Sequence, residues 1–131
     1  MTHNFAKGSR VTIGVGAALM LLAVMLGAFG AHALKARLAP EMLAVYQTGV
    51  QYHLIHALGL MVVGLLRNFQ PESGALKASA LLMALGIVLF SGSLYALALS
   101  GIMILGSITP IGGACFISAW GLVVWQMLRE K

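Results

Sequence analysis

Nine polar side chains stand out from an otherwise apolar chain: His32, Gln47, Gln51, His53, His56, Ser91, Ser93, Tyr95 and Thr109. His53 and His56 are spaced i, i+3, so a helix carries both on one face. His32 can approach from a second helix. Three imidazoles suit Zn or Cu, and two on separate helices suit a haem iron. No cysteine or carboxylate completes such a shell, so the expectation is neutral histidines hydrogen-bonded to Gln, Ser, Tyr or backbone, with no cofactor. A serine hydrolase is set aside because no carboxylate within a crossing orients a histidine base and no nucleophile-elbow pattern is present. Proton-coupled transport calls for an ionisable group inside the membrane. Glu41 is at the edge of its segment, and Glu72 and Glu130 are in polar stretches. That argues against a small multidrug-type transporter, although a histidine is able to carry the proton.

These side chains need elements that hold them. Ala78–Leu128 runs 51 residues with no Lys, Arg, Asp, Glu or His. As one helix it would extend about 76 Å, and a bilayer core is about 30 Å thick. The stretch therefore predicts two crossings folded back at Gly101, Gly106 and Thr109-Pro110. Of the chain's 131 residues, 60% are hydrophobic and 8% charged, against about 25% charged in a soluble domain. The fold class is all-α: a single-domain integral membrane bundle over 1–131, with four transmembrane helices at about 11–34, 41–66, 77–100 and 110–128.

The first helix carries Ala23, Gly27 and Ala31, a small-residue stripe for close packing. Ala31-His32-Ala33 has the form of a signal-peptidase site, but the 24 residues Val11–Leu34 exceed a signal core of about 7–15, so an uncleaved helix is expected. The second helix is the least apolar. Tyr46, Gly49, His53 and His56 share one face, and Gln47 and Gln51 lie a turn apart on another, which predicts that the first half of this helix either lies near the interface or is wrapped by the other helices. Gly92, Ala96 and Ser100 repeat the small-residue spacing in the third helix. Gly113, Ser118 and Gly121 are expected to pack the fourth, with Trp125 in an interfacial belt. Cys115, the single cysteine, has no intrachain disulfide partner and reads as a buried packing residue. His3 lies in the N-terminal tail and is read as incidental.

The net charge of +5 does not indicate nucleic-acid binding, because the basic residues sit singly or in pairs at the ends of apolar runs. Lys7, Arg10, Arg67, Lys77, Arg129 and Lys131 fall on one side of the membrane, and Lys35 and Arg37 on the other. Six against two predicts both termini in the cytoplasm. In that orientation the unusual polar residues of every helix lie toward one level, which predicts a polar cluster or shallow cavity in the outer half of the bundle.

Gly27-Ala-Phe-Gly-Ala-His32, Gln47-Thr-Gly49 leading to Tyr52 and His56, Leu89-Phe-Ser-Gly-Ser-Leu-Tyr95, and Ile108-Thr-Pro-Ile-Gly-Gly113 resemble, in order, the motifs of the YgdD-like family of small bacterial inner-membrane proteins. The resemblance implies four transmembrane helices in the bacterial inner (plasma) membrane and carries no substrate, cofactor or catalytic residue. By that pattern His32 and His56 stand at motif positions. Gln51 stands where family members often carry Glu, and His53 where they often carry Gln.

The leading functional expectation is a non-enzymatic membrane subunit, interaction partner or small-ligand binder. The partners expected are the lipid bilayer and a second copy or another membrane protein, since four short helices enclose little interior and offer several small-residue stripes. The alternative is a solute or ion transporter or channel lined by His32 and His56. A haem- or metal-binding protein comes third.

Overall fold

The computed structural model describes residues 4–129; His3, Glu130 and Lys131 lie outside them. Among the described residues all regular structure is helical. Helix α1 (Lys7–Phe29) runs into a π-helical turn at Gly30–Leu34. Helix α2 spans Pro40–Phe69. Helix α3 (Gly74–Gly86) continues through a second π-helical turn, Ile87–Ser91, into α4 (Gly92–Ser100). A 3-10 turn at Met103–Ser107 leads to α5 (Thr109–Arg129). The four spans Lys7–Leu34, Pro40–Phe69, Gly74–Ser100 and Met103–Arg129 each have the length and hydropathy to cross a bilayer.

The helices extend past the apolar runs because polar groups at their ends find partners. Pro40 occupies the first turn of α2, where its missing N–H is no loss. Ser73 caps α3 by accepting the Leu76 N–H at 3.2 Å. Helix α4 stops at Gly101, whose φ of 72° is left-handed and whose N–H donates to the Leu97 carbonyl. A side chain would strain that position, so the glycine sets the start of the turn into α5.

The packing rests on a few glycines. Gly16 lies against Met61 and the Ala57 carbonyl, and Gly64 against Ile13 and Thr12, so α1 and α2 meet closely along their antiparallel length. Gly112 lies against the Phe90 backbone, and Gly86 against the Phe116 ring, joining the third span to α5. Helix α2 is the axis of the bundle: half of its most apolar window is buried, against 17% for the first and last spans.

Several small residues expected to pack do not. Ala23 is fully buried, but Ala31 is exposed. The π turn that begins at Gly30 adds a residue to the helical repeat, so a spacing of four no longer returns to the same face. The Gly92, Ala96, Ser100 stripe follows the second π turn and points outward: a Cβ on Gly92 would meet nothing within 4 Å, and Ala96 and Ser100 are exposed. In α5 the close contact is at Gly112. Ser118 is exposed, and a Cβ on Gly121 would meet open space. Cys115 is half-buried with a free thiol. Trp125 is 53% exposed, and the Arg129 guanidinium lies over its ring at 4.2 Å.

Candidate functional site

The inward face of α2 is the face read from spacing: Tyr46, Gly49, His53 and His56 are all buried. A buried polar side chain without a partner is costly in hydrocarbon, and each here finds one. His56 Nδ1 lies 2.8 Å from the Tyr52 carbonyl. A carbonyl only accepts, so Nδ1 carries the proton. Nε2 is then an acceptor, and the Trp120 indole N–H donates to it at 3.1 Å. The two bonds fix a single neutral tautomer. The imidazole also stacks on Phe116 with centroids 3.5 Å apart. Ring and both nitrogens of His56 are thus fully engaged.

His53 lies one turn nearer the far end, the end with the 35–39 and 101–108 connections. Its Nδ1 is 3.0 Å from the Tyr95 hydroxyl. Its Nε2 is buried and has no hydrogen-bond partner among the described residues. His53 and Tyr95 border an apolar cavity of about 220 Å³ between α1 and the second π turn, lined also by Leu22, Leu26 and Ile87. The Ser91 hydroxyl donates to the Gly49 carbonyl at 2.7 Å, tying that π turn to α2. Ser93 and Thr109 share a hydrogen bond of 2.7 Å between their hydroxyls. Tyr46 donates to the Leu26 carbonyl at 2.6 Å.

The nine singled-out residues therefore do not gather in one cavity. The structure joins His53 to Tyr95 and Ser93 to Thr109, and it gives Ser91 and His56 partners of their own. His32 is exposed on the π turn that ends the first span, apart from both buried histidines. Among the described residues no three His, Cys, Asp or Glu side chains lie close enough to share a metal ion. The arrangement does not bring His32 and His56 together as a ligand pair.

Gln47 and Gln51 differ from the rest. Both are exposed, so the bundle does not wrap this side of α2. They border an open groove of about 490 Å³ between the end of α1 and α2, with Gly27, Gly30, Ala31, Val50, Leu54 and Ile55. Gly27 packs on Val50 and Gly30 on Tyr46, which sets the depth of the groove. Gly27 is about 24 Å along α1 from Val11, inside a core of about 30 Å. Gln51 thus lies about a turn within the hydrocarbon, and Gln47 at its edge.

Sequence reasoning missed Trp120 as the partner of His56, and also Arg67, whose guanidinium donates to the Thr12 hydroxyl. It missed Ser79, which donates to the Ala119 carbonyl at 2.9 Å. Spacing within one helix shows which residues share a face. It carries no signal for which residue of another helix stands opposite.

A family described as a protein of unknown function (DUF423) matches residues 26–113. The chain is 51% identical to the UPF0382 membrane protein YwdK of Bacillus subtilis (strain 168) over 115 residues, covering 88% of this chain and 94% of the relative. It is 42% identical to a UPF0382 membrane protein of Staphylococcus epidermidis (SERP0230) over 92% of this chain and 97% of that one. It is 39% identical to the UPF0382 inner membrane protein YgdD of Escherichia coli (strain K12) over 82% of each. No solved structure matches the chain significantly.

Proposed function

Starting from the fact that the chain belongs to the DUF423 (UPF0382) family of membrane proteins, we propose that it is a non-enzymatic membrane subunit that associates laterally through the groove between α1 and α2. The observation that carries this reading is the exposure of Gln51 about a turn within the hydrocarbon and of Gln47 at its edge, with no hydrogen-bond partner among the described residues. An amide in lipid needs a donor and an acceptor from a neighbour. The groove's floor of Gly27, Gly30 and Ala31 lets a neighbouring helix come close enough to supply them. A second copy of this chain fits the requirement, because a glutamine amide both donates and accepts.

The buried histidines serve this reading as packing groups. With both nitrogens of His56 engaged and His32 exposed apart from it, a path lined by the two has no geometric support here. We place the terminal ends of the spans in the cytoplasm of the bacterial inner membrane. Lys7, Arg10, Arg67, Lys77 and Arg129 favour that side, and the YgdD relative is an inner membrane protein.

The test is cross-linking in native membranes from position 55. With Ile55→Cys, exposed in the same groove, in a Cys115→Ala background, a membrane-permeant bis-maleimide is expected to give a discrete adduct of chain with chain, or of chain with one other membrane protein. The same reagent on Val124→Cys, exposed on α5, is expected to give none. Equal yields from both positions, or no protein adduct from position 55, would overturn the reading.

A further inference from the structure

The three connections between spans are of two kinds. Residues 35–39 include Lys35 and Arg37, and residues 70–73 read Gln-Pro-Glu-Ser. The connection from the third span to α5 reads Gly101-Ile-Met-Ile-Leu-Gly-Ser-Ile108 and has no charged residue. Its apolar side chains are nonetheless open: Ile102 is 53%, Met103 69% and Ile104 74% exposed. Three consecutive large apolar side chains displayed at the tip of a turn mark a contact surface.

The polar atoms of the same turn are directed into the turn itself. The Gly101 N–H donates to the Leu97 carbonyl at 2.8 Å, that of Leu105 to the Ile102 carbonyl at 3.1 Å, and that of Ile108 to the Leu105 carbonyl at 3.2 Å. The Ile102 N–H donates to the Ser100 hydroxyl oxygen at 3.2 Å. The Ser107 hydroxyl donates to the Ile104 carbonyl at 2.6 Å. Gly106 backs onto the bundle, where a Cβ would lie 3.6 Å from Leu97. Backbone bonds closed internally, with apolar side chains outward, are the reverse of a hydrated loop and are what contact with lipid demands.

Helix lengths fix the depth of the turn. Lys77 and Trp125 stand at the membrane boundary nearer the termini. Gly101 is about 36 Å along the third span from Lys77, and Thr109 about 24 Å along α5 from Trp125. A hydrocarbon core of about 30 Å ends between these values, within the turn. We propose that Ile102, Met103 and Ile104 insert into the leaflet remote from the termini, at the boundary of headgroups and acyl chains. The third span then returns into α5 without entering bulk water. The surface is continuous with Leu99 and Ile111, 55% and 58% exposed on the adjoining helices, and it carries no charge by which a protein partner would be recognised. Lipid is therefore its partner, and at that end of the bundle the 35–39 connection is the one left to water.

Electron paramagnetic resonance on a nitroxide at Ile104→Cys, in a Cys115→Ala background, tests this in phosphatidylglycerol/phosphatidylethanolamine vesicles. Power saturation compares collisions with oxygen, which concentrates among acyl chains, and with a water-soluble nickel chelate. Position 104 is expected to favour oxygen several-fold, as is Val88→Cys, 64% exposed in the third span. Ala36→Cys, exposed in the other connection at that end, is expected to favour nickel. Adding Ile102→Ser/Met103→Ser to the chain labelled at 104 is expected to raise its nickel accessibility several-fold while the profile at position 88 stays unchanged. Nickel accessibility at 104 equal to that at 36 would place the turn in water. Shielding of 104 from both reagents would place it against protein. Accessibility unaltered by the two serines would mean that the label, and not the turn, seeks lipid. Each of these three results would overturn the proposal.

Discussion

On the inward face of α2, Tyr46, His53 and His56 are buried and each is hydrogen-bonded within the bundle. On the outward face of the same helix, Gln47 and Gln51 are exposed and hydrogen-bond to none of the described residues. The difference separates two uses of polarity in a membrane protein. Inward polar groups join one helix to the next and fix their register. Outward polar groups at the same depth remain to be satisfied from outside. A histidine in a crossing invites a functional reading by default, but here the geometry directs that reading to the glutamines.

Substitutions on the inward face should weaken the fold in proportion to what each group holds. His56→Ala removes the stacked ring and leaves the Trp120 N–H without its acceptor. Titrated with SDS in mixed micelles, it should lose about 3 kcal/mol of unfolding free energy; a loss below about 0.5 kcal/mol would mean that His56 is not a packing group. Trp120→Phe keeps most of the ring and removes only the donor to His56. A loss of about 1 kcal/mol is expected, and a double-mutant cycle with His56→Ala should return a similar coupling energy. Tyr95→Phe takes away the partner of His53 Nδ1. Its expected loss is smaller, about 0.6 kcal/mol by the same titration, the average for interhelical hydrogen bonds in membranes.

Much of this division could be read from the chain alone, because it depends on periodicity. The 3.6-residue repeat put Tyr46, Gly49, His53 and His56 on one face and Gln47 and Gln51 on another, and the structure buries the first set. Length and hydropathy also suffice for four crossings. What periodicity could not supply was rotation relative to neighbours. For Gln47 and Gln51 the pattern left two placements open, near the interface or wrapped by other helices, and both side chains are exposed, with α1 on the other side of the groove. The two π turns shift the phase of the first and third spans, so Ala31 and the Gly92, Ala96, Ser100 stripe face out. Neither turn has a mark in the sequence, since glycine is present at many positions that stay α-helical. The shared polar level was legible in part. It resolves into separate pairs, His53 with Tyr95 and Ser93 with Thr109, because each group is satisfied by whatever stands across from it.

The central claim is that the outward glutamines act between molecules and not within one. Fluorescence energy transfer between labelled chains in lipid vesicles, set beside SDS unfolding, tests it on Gln47→Leu/Gln51→Leu. The account predicts an unfolding free energy within about 0.5 kcal/mol of wild type. It also predicts self-association weakened about tenfold, the loss of roughly 1.4 kcal/mol in interhelical hydrogen bonds. Self-association as strong in the double variant as in wild type, with both chains folded, would contradict it.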